Sequence, residues 1–190
     1  MTHYQAALKY KDMIVGIGLD SNERDHPPSL FDNIFTLARK DGFKVTAHCD
    51  VGVKDTHAHI RQVASTLAGG GLDRMDHGLN VADKTELVDL VAKRNLLLTI
   101  CPWAYLRRET YDSIAERIRI LVDAGISVTI ASDSPAYTDQ SWITHNLRLT
   151  QRMCSFTDED MVKLVKAGVH NCWADAVVKQ AILQEIDSLT

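Results

Sequence analysis

Five short runs of aliphatic and β-branched residues alternate along the chain with longer stretches whose apolar positions recur at helical spacing. Met13–Leu19 (MIVGIGL), Phe43–Ala47 (FKVTA), Leu72–Asp76, Asn95–Ile100 (NLLLTI) and Ile126–Ala131 (ISVTIA) are the strand candidates. Helices are predicted over Ser29–Lys40, Thr56–Leu67, Asp83–Lys93 and Glu109–Ala124. A helical tail follows, with segments near Ser141–Met153, Thr157–Ala167 and Trp173–Asp187. The strand starts are 30, 29, 23 and 31 residues apart. One strand and one crossover helix occupy about that length, so the sheet should be parallel and covered by helices. Gly42, Gly71 and Gly125 each precede a strand, where a helix C-terminal glycine is expected. Thr157 with Asp160 has the form of a capping box. No linker or low-complexity segment divides residues 1–190, which read as a single domain.

Two architectures suit five parallel units. An open doubly wound sheet needs only five or six strands. A closed (β/α)₈ barrel takes about 250 residues, and this chain has 190. Length alone favours the open sheet, but the ends of the strands argue otherwise. They read Gly-Leu-Asp20, Ala-His48-Cys-Asp50, Met-Asp-His77-Gly, Cys101-Pro-Trp103 and Ala-Ser-Asp133-Ser134. Parallel α/β folds gather their chemistry at the carboxyl ends of strands. Five successive strands here deliver polar or metal-competent groups to one rim.

Composition narrows the class without changing this picture. Hydrophobic residues make up 45% and charged residues 24%, as in ordinary globular proteins. A net charge of −4 with no basic run argues against nucleic-acid partners. No apolar stretch approaches the ~18 residues of a membrane span, and the first residues lack a signal-peptide core. Cys49, Cys101, Cys154 and Cys172 form no C-x-x-C pair and read as reduced thiols, which suggests a cytoplasmic setting.

The strand-end motifs, in this order, resemble the adenosine/adenine deaminase family of the amidohydrolase superfamily. The likeness runs from about Ile14 to Trp173. Gly16-Ile-Gly-Leu-Asp20-Ser-Asn-Glu23 followed by Pro27-Pro28-Ser29 is most similar to the adenine deaminase branch. The resemblance implies a (β/α)₈ barrel, here partial, with the five units matching strands four to eight. It further implies zinc or another divalent metal, held by His48 and Asp133. His77 would orient and help deprotonate the attacking water, while Asp20, Glu23 and Ser134 would face a purine-like substrate. The implied reaction is hydrolytic deamination, in which water replaces the exocyclic amine and ammonia departs.

Three positions depart from the family pattern. The glutamate expected three residues after His48 is Val51, which cannot carry a proton to the ring. Asp50 is the neighbouring acid and the candidate replacement, although on a straight strand it would point away from the direction of Val51. The second aspartate after Asp133 is Ser134. The family's first-strand H-x-H motif falls before residue 1 in this register, leaving the metal site incomplete. His57-Ala-His59 imitates that motif but opens a predicted helix, where i and i+2 diverge by about 200°; both are expected on the exposed face. Trp103, Tyr105, Trp142 and Trp173 are expected to be packing groups. A partial barrel would also leave sheet edges and interior residues such as Ile17, Val45 and Ile130 uncovered, which favours self-association. Besides a deaminase of impaired activity, a non-catalytic barrel fragment serving as a binding module fits the same residues. An open-sheet nucleotide-binding domain fits poorly, because Gly16-Ile-Gly18 lies inside a strand rather than in a phosphate loop.

Overall fold

The computed structural model describes residues 2–139 and 141–189. A short helix, α1 (Thr2–Ala7), and a 3₁₀ segment lead into β1 (Gly16–Leu19). Then follow α2 (Asp32–Lys40), β2 (Lys44–Cys49), α3 (Thr56–Arg61), β3 (Arg74–His77), α4 (Thr85–Lys93) and β4 (Leu97–Ile100). The chain ends with α5 (Pro102–Tyr105), α6 (Tyr111–Asp123), β5 (Val128–Ile130), α7 (Ile143–Cys154), α8 (Asp158–Asn171) and α9 (Ala176–Leu189). The strands form one sheet in the order β1-β2-β3-β4-β5, every pair parallel. Sequential order without a switch is the topology of a barrel segment; a doubly wound sheet would reverse direction part-way.

The elements fall where the periodicity puts them, with shorter strands. β1 starts at Gly16 because Leu8–Met13 is 3₁₀ and Met13 is exposed. The helix expected over Thr56–Leu67 is α-helical only to Arg61, then widens into a π turn over Gln62–Thr66. Gly71 ends this segment at φ 91°, and a Cβ there would meet the Ala64 carbonyl oxygen at 2.5 Å. Glycine alone satisfies both the left-handed backbone and that close approach. The Thr157/Asp160 capping box is present at the start of α8.

Alternation along the strands sorts the side chains onto two faces. Val45, Ala47, Met75, Leu98, Ile100, Val128 and Ile130 pack beneath the helices and are buried in the core. This corrects the expectation for Val45 and Ile130, and for the partly buried Ile17: they belong to the helix-covered side and are not left open. The other face carries polar groups beside Leu97. There the Asp76 carboxylate accepts hydrogen bonds from Thr46 Oγ1 (2.8 Å), Thr99 Oγ1 (2.9 Å) and Arg74 Nε (2.9 Å).

The carboxyl-terminal tail covers part of this inner face. Gly168 of α8 lies against Thr129, where a Cβ would come 2.5 Å from Thr129 Oγ1. The Trp173 ring sits 4.4 Å from the Arg74 guanidinium and would collide with any Cβ at Gly16. Gly16 and Arg74 are the first residues of β1 and β3, so Trp173 closes the amino-terminal end of the sheet. Tyr105 and Trp173 are packing groups as expected. Trp142 is not: it is 62% exposed.

Candidate metal and catalytic site

At the opposite, carboxyl-terminal end the chain leaves each strand abruptly. His77, the last residue of β3, has φ 62°, and Asp133 beyond β5 has φ 58°. Side chains with left-handed backbone are uncommon and tend to mark sites where neighbouring structure enforces the geometry. These turns bring the His77 ring against that of His48, edge to face, with centroids 4.5 Å apart. Asp133 and Cys101 come in from β5 and β4. One ligand atom each from His77, Cys101 and Asp133 lie within 4.8 Å of one another. Nitrogen, sulfur and oxygen donors on residues 24 to 56 positions apart therefore converge, a set suited to a zinc-like ion. Of the expected rim trio, His77 and Asp133 come together, while His48 packs against His77 without joining that group.

Second contacts fix the imidazoles. The Tyr105 hydroxyl lies 3.1 Å from His77 Nδ1 and accepts a hydrogen bond from the Cys101 amide at 2.9 Å. Burial, then the adjoining His48 imidazole, push the His77 pKa down, against the pull of Asp50, Asp133 and Asp76. His77 is thus held neutral, the form in which imidazole binds metals or accepts a proton. Burial also raises the Cys101 thiol pKa, and the Asp133 and Asp76 carboxylates add to it.

Glu23 is almost fully buried. Its Oε1 accepts from the Asp50 amide at 2.9 Å and stands 3.9 Å from His48 Nδ1. Its Oε2 faces His59 Nδ1 at 3.6 Å, and neither atom has a hydrogen-bond partner among the described residues. His59 is therefore not the exposed residue that its helical position suggested. The divergence of His57 and His59 holds, but it aims His59 inward, while His57 Nε2 pairs with Asp83 at 2.8 Å. Asp50 is also committed. Arg108 Nη1 donates to its Oδ2 at 2.5 Å and to the Val51 carbonyl at 2.8 Å. Burial alone would raise the Asp50 carboxyl, yet the Arg108 hydrogen bond, the neighbouring His77 ring, the Arg108 charge and the Val51 amide outweigh it, and the net direction is down. Asp20 is exposed and, with Glu23, His48 and Phe31, lines a cavity of about 350 Å³ beside the rim. Ser134 is exposed on the loop after β5, its carbonyl accepting from the Tyr137 amide and the Thr138 hydroxyl.

The adenosine deaminase family model matches residues 2–189. The chain belongs to the adenosine deaminase family. It is 39% identical over 184 residues to an uncharacterized deaminase of Schizosaccharomyces pombe, covering 96% of this chain and 53% of that protein. It is 31% identical to an adenine deaminase of Psychrobacter cryohalolentis, again over 96% of this chain and 54% of the relative. Among solved structures, an adenine deaminase from Arthrobacter aurescens superposes with a TM-score of 0.83 at 25% identity, covering 98% of this chain and 57% of that one. A zinc-bound amidohydrolase from Burkholderia ambifaria superposes with a TM-score of 0.79 at 29% identity, over 92% of this chain and 49% of its own. The chain spans about half the length of the curated relatives it matches. The partial barrel architecture agrees with these neighbours.

Cys101, Tyr105 and Arg108 are the site residues that sequence reading missed. Cys101 carried a signal, since it ends the fourth strand in step with the other rim residues. Nothing in sequence links Arg108 to Asp50, 58 positions away.

Proposed function

We propose that this rim is a divalent-metal site for hydrolytic deamination of a purine-type amine. The observation that carries the reading is the convergence of His77 and Asp133, with Cys101, on one point, the His48 ring packing against that of His77. Relatives that are adenine deaminases and a zinc-bound structural neighbour support it. By the family pattern His48 and Asp133 hold the ion. A bound ion supplies Lewis acidity and brings the proton loss of water towards neutral pH.

The chain's own groups do the rest. Neutral His77 accepts a proton from the attacking water and orients it. Water adds to the ring carbon bearing the amine, the carbon–nitrogen bond breaks, and ammonia leaves with the transferred proton. Asp50, kept ionised by Arg108, suits accepting a hydrogen bond from the substrate better than protonating its ring. Glu23 and Asp20 line the approach, and the Ser134 hydroxyl can donate to or accept from a ring nitrogen. Val51 offers no proton, and general acid catalysis contributes about 10²–10⁴-fold, so deamination should be slow. Metal content measured alongside ammonia release from a panel of aminopurines tests the reading. Slow, metal-dependent release that is lost in Asp133→Ala is expected. A metal-free chain that no added ion activates contradicts it.

The outer strands β1 and β5 each pair on one side only among the described residues. Such edges support association with a second copy or with a chain that completes the sheet. No described helix is long and apolar enough to cross a membrane, and four free cysteines suit a reducing, cytoplasmic setting.

A further inference from the structure

We propose that a cation-lined cavity beside the rim is a phosphate subsite, and that the substrate is a purine nucleoside monophosphate rather than a free base. The inference rests on the purine-directed reading above and names the substrate class within it. Its residues come from the loops that follow β1, β2 and α5.

Two cavities adjoin there. The one described above, of about 350 Å³, is lined by Leu19, Pro28 and Phe31 together with His48. Apolar walls of that kind suit a flat heterocycle, and His48 places them beside the reacting centre. The second cavity, of about 560 Å³, shares the Ser21, Asn22 and Glu23 wall with the first. Small-molecule sites commonly measure about 300–1,000 Å³, so each has room for one part of a ligand. A purine seated in the first has the second immediately beside it. Ser21, in the common wall, has φ 82°. A left-handed serine is uncommon and tends to mark functional loops.

The second cavity differs in charge. Arg24, Lys54 and Arg108 all line it, in a chain whose net charge is −4. Asp50 offsets one of these cations, since Arg108 Nη1 donates to its carboxylate. Glu23, the other acid of the lining, is buried, with Oε1 turned to the Asp50 amide and Oε2 to His59. Arg24 and Lys54 are exposed and form no ion pair among the described residues, although Asp25 and Asp55 follow them directly in sequence. Two like charges beside one cavity repel each other. A phosphate between them replaces that repulsion with attraction. An arginine fork matches phosphate oxygens, and a lysine adds a point charge.

Calorimetric titration of the purified chain, without added metal, compares adenine, adenosine, adenosine monophosphate and inorganic phosphate. The nucleotide should bind about tenfold tighter than adenosine at low salt, as befits a few exposed charge-assisted contacts. Inorganic phosphate should compete with the nucleotide and leave adenine binding unchanged. The nucleotide's advantage should vanish near 1 M salt, where screening acts over about 3 Å. Arg24→Ala and Lys54→Ala should each cut it about threefold, with adenosine binding unaltered. Lys84→Ala removes the same charge from an exposed position elsewhere and should leave the advantage intact. Should a variant fail to fold, the competition and the salt dependence of the wild-type chain decide. Equal binding of nucleotide and nucleoside overturns the subsite and leaves the purine reading standing. So does an advantage that persists in the Arg24→Ala/Lys54→Ala double variant, or one that phosphate does not reduce. Phosphate bound by a folded chain that takes no purine overturns both readings.

Discussion

The inner face of the sheet and its carboxyl-terminal rim are built on opposite principles. On the inner face, the Asp76 carboxylate is satisfied by Thr46, Thr99 and Arg74, and the Arg74 guanidinium is covered by Trp173. At the rim, Glu23 Oε2 and His59 Nδ1 are buried without hydrogen-bond partners among the described residues, two residues have left-handed φ, and three metal-competent donors face one another. Buried polar groups are stabilising when their hydrogen bonds are complete and costly when they are not. The inner face therefore holds the fold together, and the rim carries unsatisfied groups available for chemistry. Substitutions should accordingly separate into two kinds, those that lower stability and those that alter metal affinity.

The largest expected stability loss is at Asp76. Asp76→Ala removes three hydrogen bonds to one carboxylate and leaves Arg74 partly buried without its ion pair. Bonds to charged groups contribute about 1.5–3 kcal/mol each when buried and less when half-exposed, so a loss of about 3 kcal/mol is expected. Urea unfolding followed by circular dichroism measures it. An unchanged midpoint would remove the distinction between the inner face and the rim.

Trp173→Ala comes next. Deleting a fully buried tryptophan costs about 3–5 kcal/mol; Trp173 is partly exposed, so about 2 kcal/mol is expected, with metal content unchanged. A loss of metal affinity equal to that of the rim variants would mean that the tail supports the site directly.

Much of this division was legible in the sequence. The spacing of strand starts fixed a parallel sheet in sequential order, because a strand and its crossover helix have a characteristic length. His48, His77 and Asp133 could be placed together because each ends a strand, and parallel strands end on one rim. The two faces of the sheet were not legible. Strands covered on both sides read as continuous apolar runs, so Ile17, Val45 and Ile130 could not be assigned to a side. The Glu23–His59 contact was hidden for another reason: Asp20–Pro28 has no periodicity from which to read a direction. Cys101 was visible as a strand end, but a lone thiol points to a site only when its neighbours are known.

The smallest expected effect lies in neither region but in the helical shell, and it shows which carboxylates make the fold acid-labile. Asp83, at the end of the turn after β3, accepts hydrogen bonds from Asn80 (2.7 Å), His57 (2.8 Å) and Arg117 (2.8 Å). Burial alone would raise its pKa, but the hydrogen bonds from Asn80 and His57 and the Arg117 guanidinium outweigh burial, and the net direction is down. A carboxyl depressed in the folded chain binds its proton more readily once unfolded. Its stabilisation is therefore present above the unfolded value, about 3.9 for aspartate, and is lost as pH falls through the lower folded value. Asp83→Asn should thus lower stability at neutral pH by roughly 1 kcal/mol, as expected for a half-exposed charged hydrogen-bond cluster. It should also flatten the decline in melting temperature below about pH 4. Asp50, depressed by Arg108, shares the same sign, so the double variant Asp83→Asn/Asp50→Asn should flatten the decline further. Melting curves recorded between neutral and strongly acidic pH decide the point. An acid limb as steep in the double variant as in the wild-type chain would show that neither Asp83 nor Asp50 sets the acid lability of the fold.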